Sequence, residues 1–335
     1  MDSFDASEIP TYADIEDAAA RINGLAVRTP LLESPRLNDV LGGRLLVKAE
    51  PLQRTGAFKF RGAYNRISRI PESERGRGVV TYSSGNHAQG VAAAAQLFSI
   101  PATIIMPADA PKAKIDGTKA YGAEVVFFDR FGEKREDVVR PFIEDQDMIL
   151  VKPFDDRFII AGQGTVGREI AEQVAVADAK PDAVLVPCGG GGLISGTALA
   201  IGHDLPGTPV YAAEPEGFDE TARSLRTGKR EKVDPDARSI CDALLAPEPG
   251  ELTFSLNINI LYGGFAISDE EAMAGMKAAF EYLKLVVEPG GAVALAAALF
   301  GRHAVAGNTI VVVCSGGNVD ADVFQQALAS ELDWA

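Results

Sequence analysis

The sequence predicts an α/β protein of two domains, each a parallel-rich twisted sheet flanked by helices. Three observations carry this. Short apolar runs alternate with helical patterns along most of the chain, the order of parallel strands with helices on both faces. Two junctions between an apolar run and a helix are built of glycine and small polar residues, at Ser83–Gly90 and at Gly189–Gly192. These junctions fall in different parts of the chain, which predicts a cleft between two α/β units.

The elements follow in order. Leu45-Leu46-Val47 predicts the first strand, and an apolar helix opens in Thr55-Gly56-Ala57-Phe58-Lys59-Phe60-Arg61-Gly62-Ala63. Val79-Val80-Thr81-Tyr82 predicts a strand that runs into Ser83-Ser84-Gly85-Asn86-His87-Ala88-Gln89-Gly90 and then the helical run Val91–Ala95. Thr103–Met106, Val125–Phe128 and Ile149–Val151 predict three more strands. This group forms the smaller domain, 76–152, and the larger domain, 1–75 with 153–335, wraps around it. Ala183–Cys188 reads as a buried parallel strand, followed by four glycines and the helix Leu193–Ala200. Val210-Tyr211-Ala212 and Ile310-Val311-Val312 predict the last strands. Gly228–Lys232, with prolines following, predicts an exposed loop. There is no repeat array or low-complexity tract.

Composition sets the outer limits. A chain of 335 residues, 47% hydrophobic, can bury one or two full cores. Net charge −15 argues against a nucleic-acid partner, whose phosphates need Lys and Arg surfaces. No apolar run reaches the roughly 18 residues of a membrane span. The opening Met1-Asp2-Ser3-Phe4-Asp5 is acidic and has no apolar signal core. Three cysteines are too few for a disulfide framework or zinc site; Cys188 and Cys314 end apolar strands as buried thiols. The expectation is a reduced, cytoplasmic enzyme.

Lys59 stands between Phe58 and Phe60 at the start of an apolar helix. Desolvation there favours the neutral, nucleophilic amine and suggests a Schiff base with an aldehyde cofactor. Taken alone, Lys59 reads first as a snorkelling helix lysine. Gly189-Gly190-Gly191-Gly192 lets several backbone N–H groups converge at a helix N-terminus, a phosphate site needing no side-chain cation. Taken alone, it reads also as a flexible turn. Its spacing is neither a dinucleotide fingerprint nor a nucleoside-triphosphate loop. Ser83–His87 offers donors to a carboxylate or phenolate, and reads equally as an ordinary helix cap.

Together, in this order, these segments resemble the pyridoxal-phosphate enzymes of fold type II, the tryptophan-synthase-β type, in the serine/threonine dehydratase and serine racemase branch. Val311-Val312-Val313-Cys314-Ser315-Gly316-Gly317-Asn318 agrees, a strand ending in the family's Ser-Gly-Gly-Asn turn. The resemblance runs from about Tyr12 to Asp320. It implies that Lys59 carries pyridoxal 5'-phosphate and later takes the substrate α-proton. It implies that Phe58 packs on the pyridine ring and Asn86 bonds its hydroxyl. The backbone of Gly189, Gly190, Gly191 and Gly192 would hold the phosphate, and Ser315 would meet the ring nitrogen. Ser83, Ser84, Gly85 and His87 would bind the substrate carboxylate. A serine at the ring nitrogen, unlike an aspartate, does not keep it protonated and favours prompt β-elimination over transamination.

The implied activity is an ammonia-lyase acting on threonine, serine or a related 3-hydroxy amino acid, 3-hydroxyaspartate included. Ser84 resembles the residue opposite the lysine that permits racemisation, so a serine or aspartate-type racemase stays open. Cysteine-synthase-like β-replacement is a further alternative; His87 after Asn86 follows the dehydratases instead. A non-catalytic anion-binding protein would not need Lys59 beside Phe58. Arg135 resembles a pocket-mouth arginine that could read a distal carboxylate, though a helix arginine paired with a nearby glutamate fits the same pattern. Ala246 stands where racemases carry a polar serine, which favours threonine or serine over a dicarboxylate. Glu288, in Val286-Val287-Glu288-Pro289-Gly290-Gly291, matches a family glutamate near the cofactor. Glu214, the Phe218 carbonyl and Glu220 resemble a site for Mg²⁺ or Ca²⁺, with glutamate where relatives usually carry aspartate at the third position. An acidic helix N-terminus accounts for the same residues. The resemblance also implies a homodimer. The chain ends soon after Asp320, so no C-terminal regulatory domain and no feedback inhibition by isoleucine are expected.

Overall fold

The computed structural model describes residues 8–130, 132–332 and 334; the acidic segment Met1–Asp5 lies outside them. Its strands are β1 (Leu31–Glu33), β2 (Arg44–Ala49), β3 (Val79–Tyr82), β4 (Ala102–Pro107), β5 (Glu124–Phe128), β6 (Ile149–Leu150), β7 (Ala183–Pro187), β8 (Val210–Pro215), β9 (Gly263–Ile267) and β10 (Thr309–Cys314). The helices are α1 (Tyr12–Ile22), α2 (Pro35–Leu41), α3 (Lys59–Ile67), α4 (Asn86–Leu97), α5 (Lys112–Ala120), α6 (Arg135–Glu144), α7 (Arg157–Val176), α8 (Gly192–Asp204), α9 (Glu220–Thr227), α10 (Glu251–Ile260), α11 (Asp269–Ala278), α12 (Pro289–Leu299) and α13 (Ala321–Leu328).

Two sheets form. One has six strands in the order β1-β2-β10-β7-β8-β9, parallel throughout except for the antiparallel β1–β2 pair. The other has four parallel strands in the order β5-β4-β3-β6. The eight strands expected from apolar runs all appear. β1 and β9 were not expected, and both lie at sheet edges. Their residues are mostly only half-buried, so neither is a continuous apolar run.

The interior strands read as apolar because they are covered on both faces. Nearly all of α12 is buried, and it packs with β2, β7 and β10 in the largest core cluster. α7 lies against both α3 and α8 at backbone distance. A Cβ on Gly162 would stand 2.6 Å from the Arg61 carbonyl, and one on Gly196 would stand 2.3 Å from the Ile160 carbonyl. Phe60, Ala63, Tyr64 and Ile67 of α3 share a core with β3, β4 and α4, so the lysine helix also supports the four-stranded sheet.

A buried ion network fixes the start of α3. Arg61 is fully buried and pairs with Glu50 at 2.8 Å and Glu169 at 2.7 Å. Lys48, also fully buried, meets Glu169 at 2.6 Å. These pairs tie β2, α3 and α7 together at Arg61, two residues after Lys59. No helix among the described residues is long and apolar enough to cross a membrane.

Candidate active site

One cavity is lined by Phe58, Lys59, Ser83, Ser84, Asn86, His87, Arg135, Gly189–Gly192 and Ser315. It therefore gathers most of the cofactor and substrate residues singled out above, from elements of both sheets. Gly85, in the same turn, does not line it.

Lys59 is the first residue of α3. The preceding segment is zipped to the turn after β10: Phe58 N–H donates to the Ser315 carbonyl at 3.1 Å, and Gly317 N–H to the Gly56 carbonyl at 2.9 Å. Asn318 Nδ2 donates to the Thr55 carbonyl at 2.8 Å. This fixes the lysine beside Ser315. Lys59 Nζ donates to the Pro153 carbonyl at 2.7 Å and lies 5.2 Å from the Phe58 ring centre. Burial of the amine, with no counter-charge, pushes its pKa down from 10.5 to about 7.

The glycine turn leads into α8. Gly191 is the N-cap, with φ +96°, a conformation that disfavours any side chain. As N-cap and first helical residue, Gly191 and Gly192 carry amides without partners inside the helix. Phe154 packs behind the turn: a Cβ on Gly190 would come 2.4 Å from its ring. Thr253 Oγ1 donates to the Gly190 carbonyl at 2.7 Å and braces the turn from α10.

Asn86 opens α4. Its Nδ2 donates to Glu288 Oε1, and its Oδ1 accepts from Asn318 Nδ2 at 2.9 Å. His87 Nε2 faces the Val151 carbonyl at 3.2 Å, while Nδ1 is buried without a partner. Burial, then the charge of Lys59, pushes His87 down to about 3, so the ring is neutral. Ser83 N–H donates to the Ile105 carbonyl at 3.0 Å, and Gly85 N–H to Ser83 Oγ at 3.0 Å. Two amides of the expected carboxylate turn are thus engaged within the protein. Ser84 Oγ donates to the Asp242 carbonyl at 3.3 Å. Arg135 lies with its guanidinium 4.7 Å above the Tyr82 ring and pairs with Glu136 at 2.7 Å. The opposite wall includes Ala243, Leu244, Leu245 and Ala246.

The residues present fit pyridoxal phosphate. An amine with its pKa lowered to about 7, a ring face at Phe58, a hydroxyl at Ser315 and amides at a helix N-terminus line one space, and among the described residues no carboxylate pairs with the amine.

Glu214, Phe218 and Glu220 lie apart from this cavity's wall, at the end of β8 and the start of α9. Glu214 is fully buried and accepts from the Thr221 and Ala222 amides at 2.9 and 2.8 Å. Glu220 is fully buried, and neither carboxylate oxygen has a partner. Burial raises both carboxyls above their usual range, and Glu214's charge raises Glu220 further. Only Glu220 keeps open carboxylate oxygens; both Glu214 oxygens are taken by backbone amides. Among the described residues, no group of three or more His, Cys, Asp or Glu side chains could hold a metal.

Sequence reading did not single out Phe154, Thr253 or Lys114. Phe154 follows Pro153 and could be flagged as a large apolar residue in a loop; Lys114, in Lys112-Ala113-Lys114, gives no such signal.

Residues 22–316 match the family described as pyridoxal-phosphate dependent enzyme. The chain is 38% identical over 325 residues to an L-threo-3-hydroxyaspartate ammonia-lyase of Saccharomyces cerevisiae, covering 97% of this chain and 98% of that protein. It is 39% identical over 321 residues to a serine racemase of Schizosaccharomyces pombe, covering 96% of this chain and 98% of that protein. Among solved structures, a threonine deaminase from T.th. superposes with a TM-score of 0.87 at 41% identity, covering 93% of this chain and 99% of that one. With likeness of this extent over nearly its whole length, the chain belongs to the pyridoxal-phosphate-dependent enzymes, in the fold type II branch of dehydratases and serine racemases that its motifs resemble.

Proposed function

We propose that the chain is a pyridoxal-phosphate-dependent ammonia-lyase that converts a 3-hydroxy amino acid to its 2-oxo acid and ammonia. Threonine, serine and 3-hydroxyaspartate are the candidate substrates, with L-threo-3-hydroxyaspartate first. One observation carries the reading: the Lys59 amine, its pKa lowered to about 7, shares a cavity with Arg135, a cation suited to a second carboxylate. The likeness to the Saccharomyces cerevisiae ammonia-lyase supports the same substrate.

Lys59, Phe58, Asn86, Ser315 and the amides of Gly189–Gly192 would hold the cofactor, which when bound supplies an electron sink for the broken Cα–H bond. Lys59 Nζ, whose pKa near 7 makes its neutral form available near neutrality, can accept the α-proton, and the Pro153 carbonyl fixes its direction. Ser83, Ser84 and His87 would receive the α-carboxylate, and Gly85, which does not line the cavity, would shape the turn from behind. Ala243–Ala246 would give the substrate an apolar wall.

Racemisation requires a second proton-transfer group, for which Ser84 is the candidate. Its hydroxyl proton already goes to the Asp242 carbonyl, which favours elimination. Oxo-acid detection with L- and D-serine, threonine and both 3-hydroxyaspartate diastereomers tests the reading. Turnover is expected with at least one. No oxo acid from any, or faster cysteine formation from O-acetylserine and sulfide, would overturn it.

Four finer readings go with it. Glu214, the Phe218 carbonyl and Glu220 hold Mg²⁺ or Ca²⁺, supported by the open oxygens of Glu220. Residues 76–152 form a small domain, supported by the four-stranded sheet lying between Val79 and Leu150. The assembly is a homodimer, supported by exposed Leu52 and Val286 on neighbouring segments around Gly317. The enzyme is cytoplasmic, supported by three free, buried thiols.

A further inference from the structure

Lys114 is the third residue of α5, and its side chain is fully buried. A buried ammonium is strongly unfavourable unless its charge is met. Here it is met twice: Nζ lies 2.9 Å from both carboxylate oxygens of Asp242 and 2.7 Å from Glu288 Oε2. The Glu288 contact is an ion pair without hydrogen-bond geometry, since Oε2 has no hydrogen-bond partner. α5 packs beside the four-stranded sheet, next to α4 and β5. Asp242 and Glu288 flank α12, which packs on the six-stranded sheet. The pair therefore joins the two sheet systems.

Three contacts connect Lys114 to the turn between β3 and α4. Its stem lies against Gly85, where an added Cβ would come 2.1 Å from Lys114 Cδ. Asp242, its first partner, accepts the Ser84 hydroxyl at its carbonyl. Glu288, its second, accepts Asn86 Nδ2. The residues after Asp242 form the apolar wall of the cavity. A separate tie holds α5 in place: Asp320 accepts from the Lys112 and Ala113 amides, at 3.0 and 2.9 Å, at the helix N-terminus.

We infer that Lys114 is a positioning residue that clamps the Ser83–Asn86 turn to the Asp242–Ala246 wall, so that the affinity of the site for a substrate carboxylate depends on it. The inference rests on the reading that this turn faces the carboxylate. Lys114 touches neither substrate nor cofactor; it acts through Gly85, Asp242 and Glu288.

The test uses the full-length holoenzyme and the variants Lys114→Met and Asp242→Asn. Malonate, a dicarboxylate without an amine, is titrated against the visible absorbance of the bound cofactor. KM and kcat are measured with 3-hydroxyaspartate and threonine, and cofactor content and Tm are recorded. Lys114→Met is expected to raise the malonate Kd and KM by about tenfold or more, with kcat within about threefold and cofactor content retained. Asp242→Asn should raise the same two quantities less, and the double variant should fall short of the product of the single effects. A Kd and KM within about twofold of the parent overturn the inference. So does a fall in kcat at unchanged Kd, or a joint loss of cofactor, kcat and Tm, which marks a merely structural role. Should Lys114→Met fail to fold, Asp242→Asn decides by the same criteria. If the parent enzyme forms no oxo acid, the proposed activity falls, while the malonate titration still decides the role of Lys114.

Discussion

Replacing Lys59 with Met should change how stability depends on pH. In the folded, cofactor-free protein the amine titrates near 7, against 10.5 for an ordinary lysine, because burial opposes its charge. Below pH 7 both folded and unfolded chains are protonated, and the fold bears the full cost of an enclosed ammonium. Between pH 7 and 10.5 the folded state gives up its proton first, so stability rises with pH through that window and levels off above it. A full shift of that size corresponds to roughly 5 kcal/mol at about 1.4 kcal/mol per unit. Lys59 is only partly buried by surface exposure, so solvent screening reduces this, and a net effect of about 2 kcal/mol is expected. Met keeps the apolar stem and removes the charge, so the Lys59→Met apoprotein should exceed the parent by that amount at pH 6 and converge on it by pH 10. Urea unfolding at both pH values measures the difference. Parallel stability curves for parent and variant across this range would refute a desolvated Lys59. The same variant should lose the visible absorbance of bound cofactor.

Three other substitutions separate the remaining claims. Arg135→Ala should lower kcat/KM for 3-hydroxyaspartate by about 10- to 100-fold and for threonine far less, as expected for a charged bidentate contact of roughly 1.5–3 kcal/mol; equal losses would deny it a carboxylate-reading role. Glu220→Gln should abolish any rise in Tm on adding Mg²⁺ or Ca²⁺, a rise of about 2.7 kcal/mol in stability at a hundredfold excess over Kd; an unchanged rise in the variant places the cation elsewhere. Arg61→Leu should destabilise the fold by about 3–5 kcal/mol in urea, since it leaves the fully buried Glu50 without its main partner; a loss under about 1 kcal/mol would mean that Lys48 and Thr29 suffice.

What could be read from the sequence was local. The glycine turn, the serine-rich turn and the lysine segment each carry their chemistry in adjacent residues, and each sits where a buried strand or its flank meets a helix. β7, and β10 from Ile310 onward, are buried throughout and so appear as unbroken apolar runs. β9 opens with two glycines on a sheet edge, and β1 has three residues, too few for a period. The contacts that shape the cavity were not legible. Lys114 and Asp242 stand 128 positions apart, and Asn86 and Glu288 stand 202 apart. Lys112-Ala113-Lys114 has the composition of a solvated helix face; only the tertiary packing of α5 against Gly85 turns Lys114 inward. By contrast, the bond from the Gly85 amide to Ser83 Oγ is a local serine turn two residues long, and it leaves less of that turn free for a ligand.

The difference between the lysines of this acidic chain follows from counter-charge. Lys114 and Lys59 are both withdrawn from bulk water. Lys114 faces Asp242 and Glu288, and these carboxylates outweigh burial and push its pKa up. Lys48 faces Glu50 and Glu169, but Arg61 competes for both, and burial leaves its pKa lowered. Among the described residues Lys59 hydrogen-bonds only the neutral Pro153 carbonyl, so burial acts unopposed. A carboxylate near Lys59 would have given a permanently charged ion pair, unable to attack an aldehyde or accept a proton. The acids of this region are instead committed elsewhere: Glu136 to Arg135, Asp242 and Glu288 to Lys114. The reactivity of one amine thus depends on where its neighbours' charges are satisfied as much as on its own surroundings.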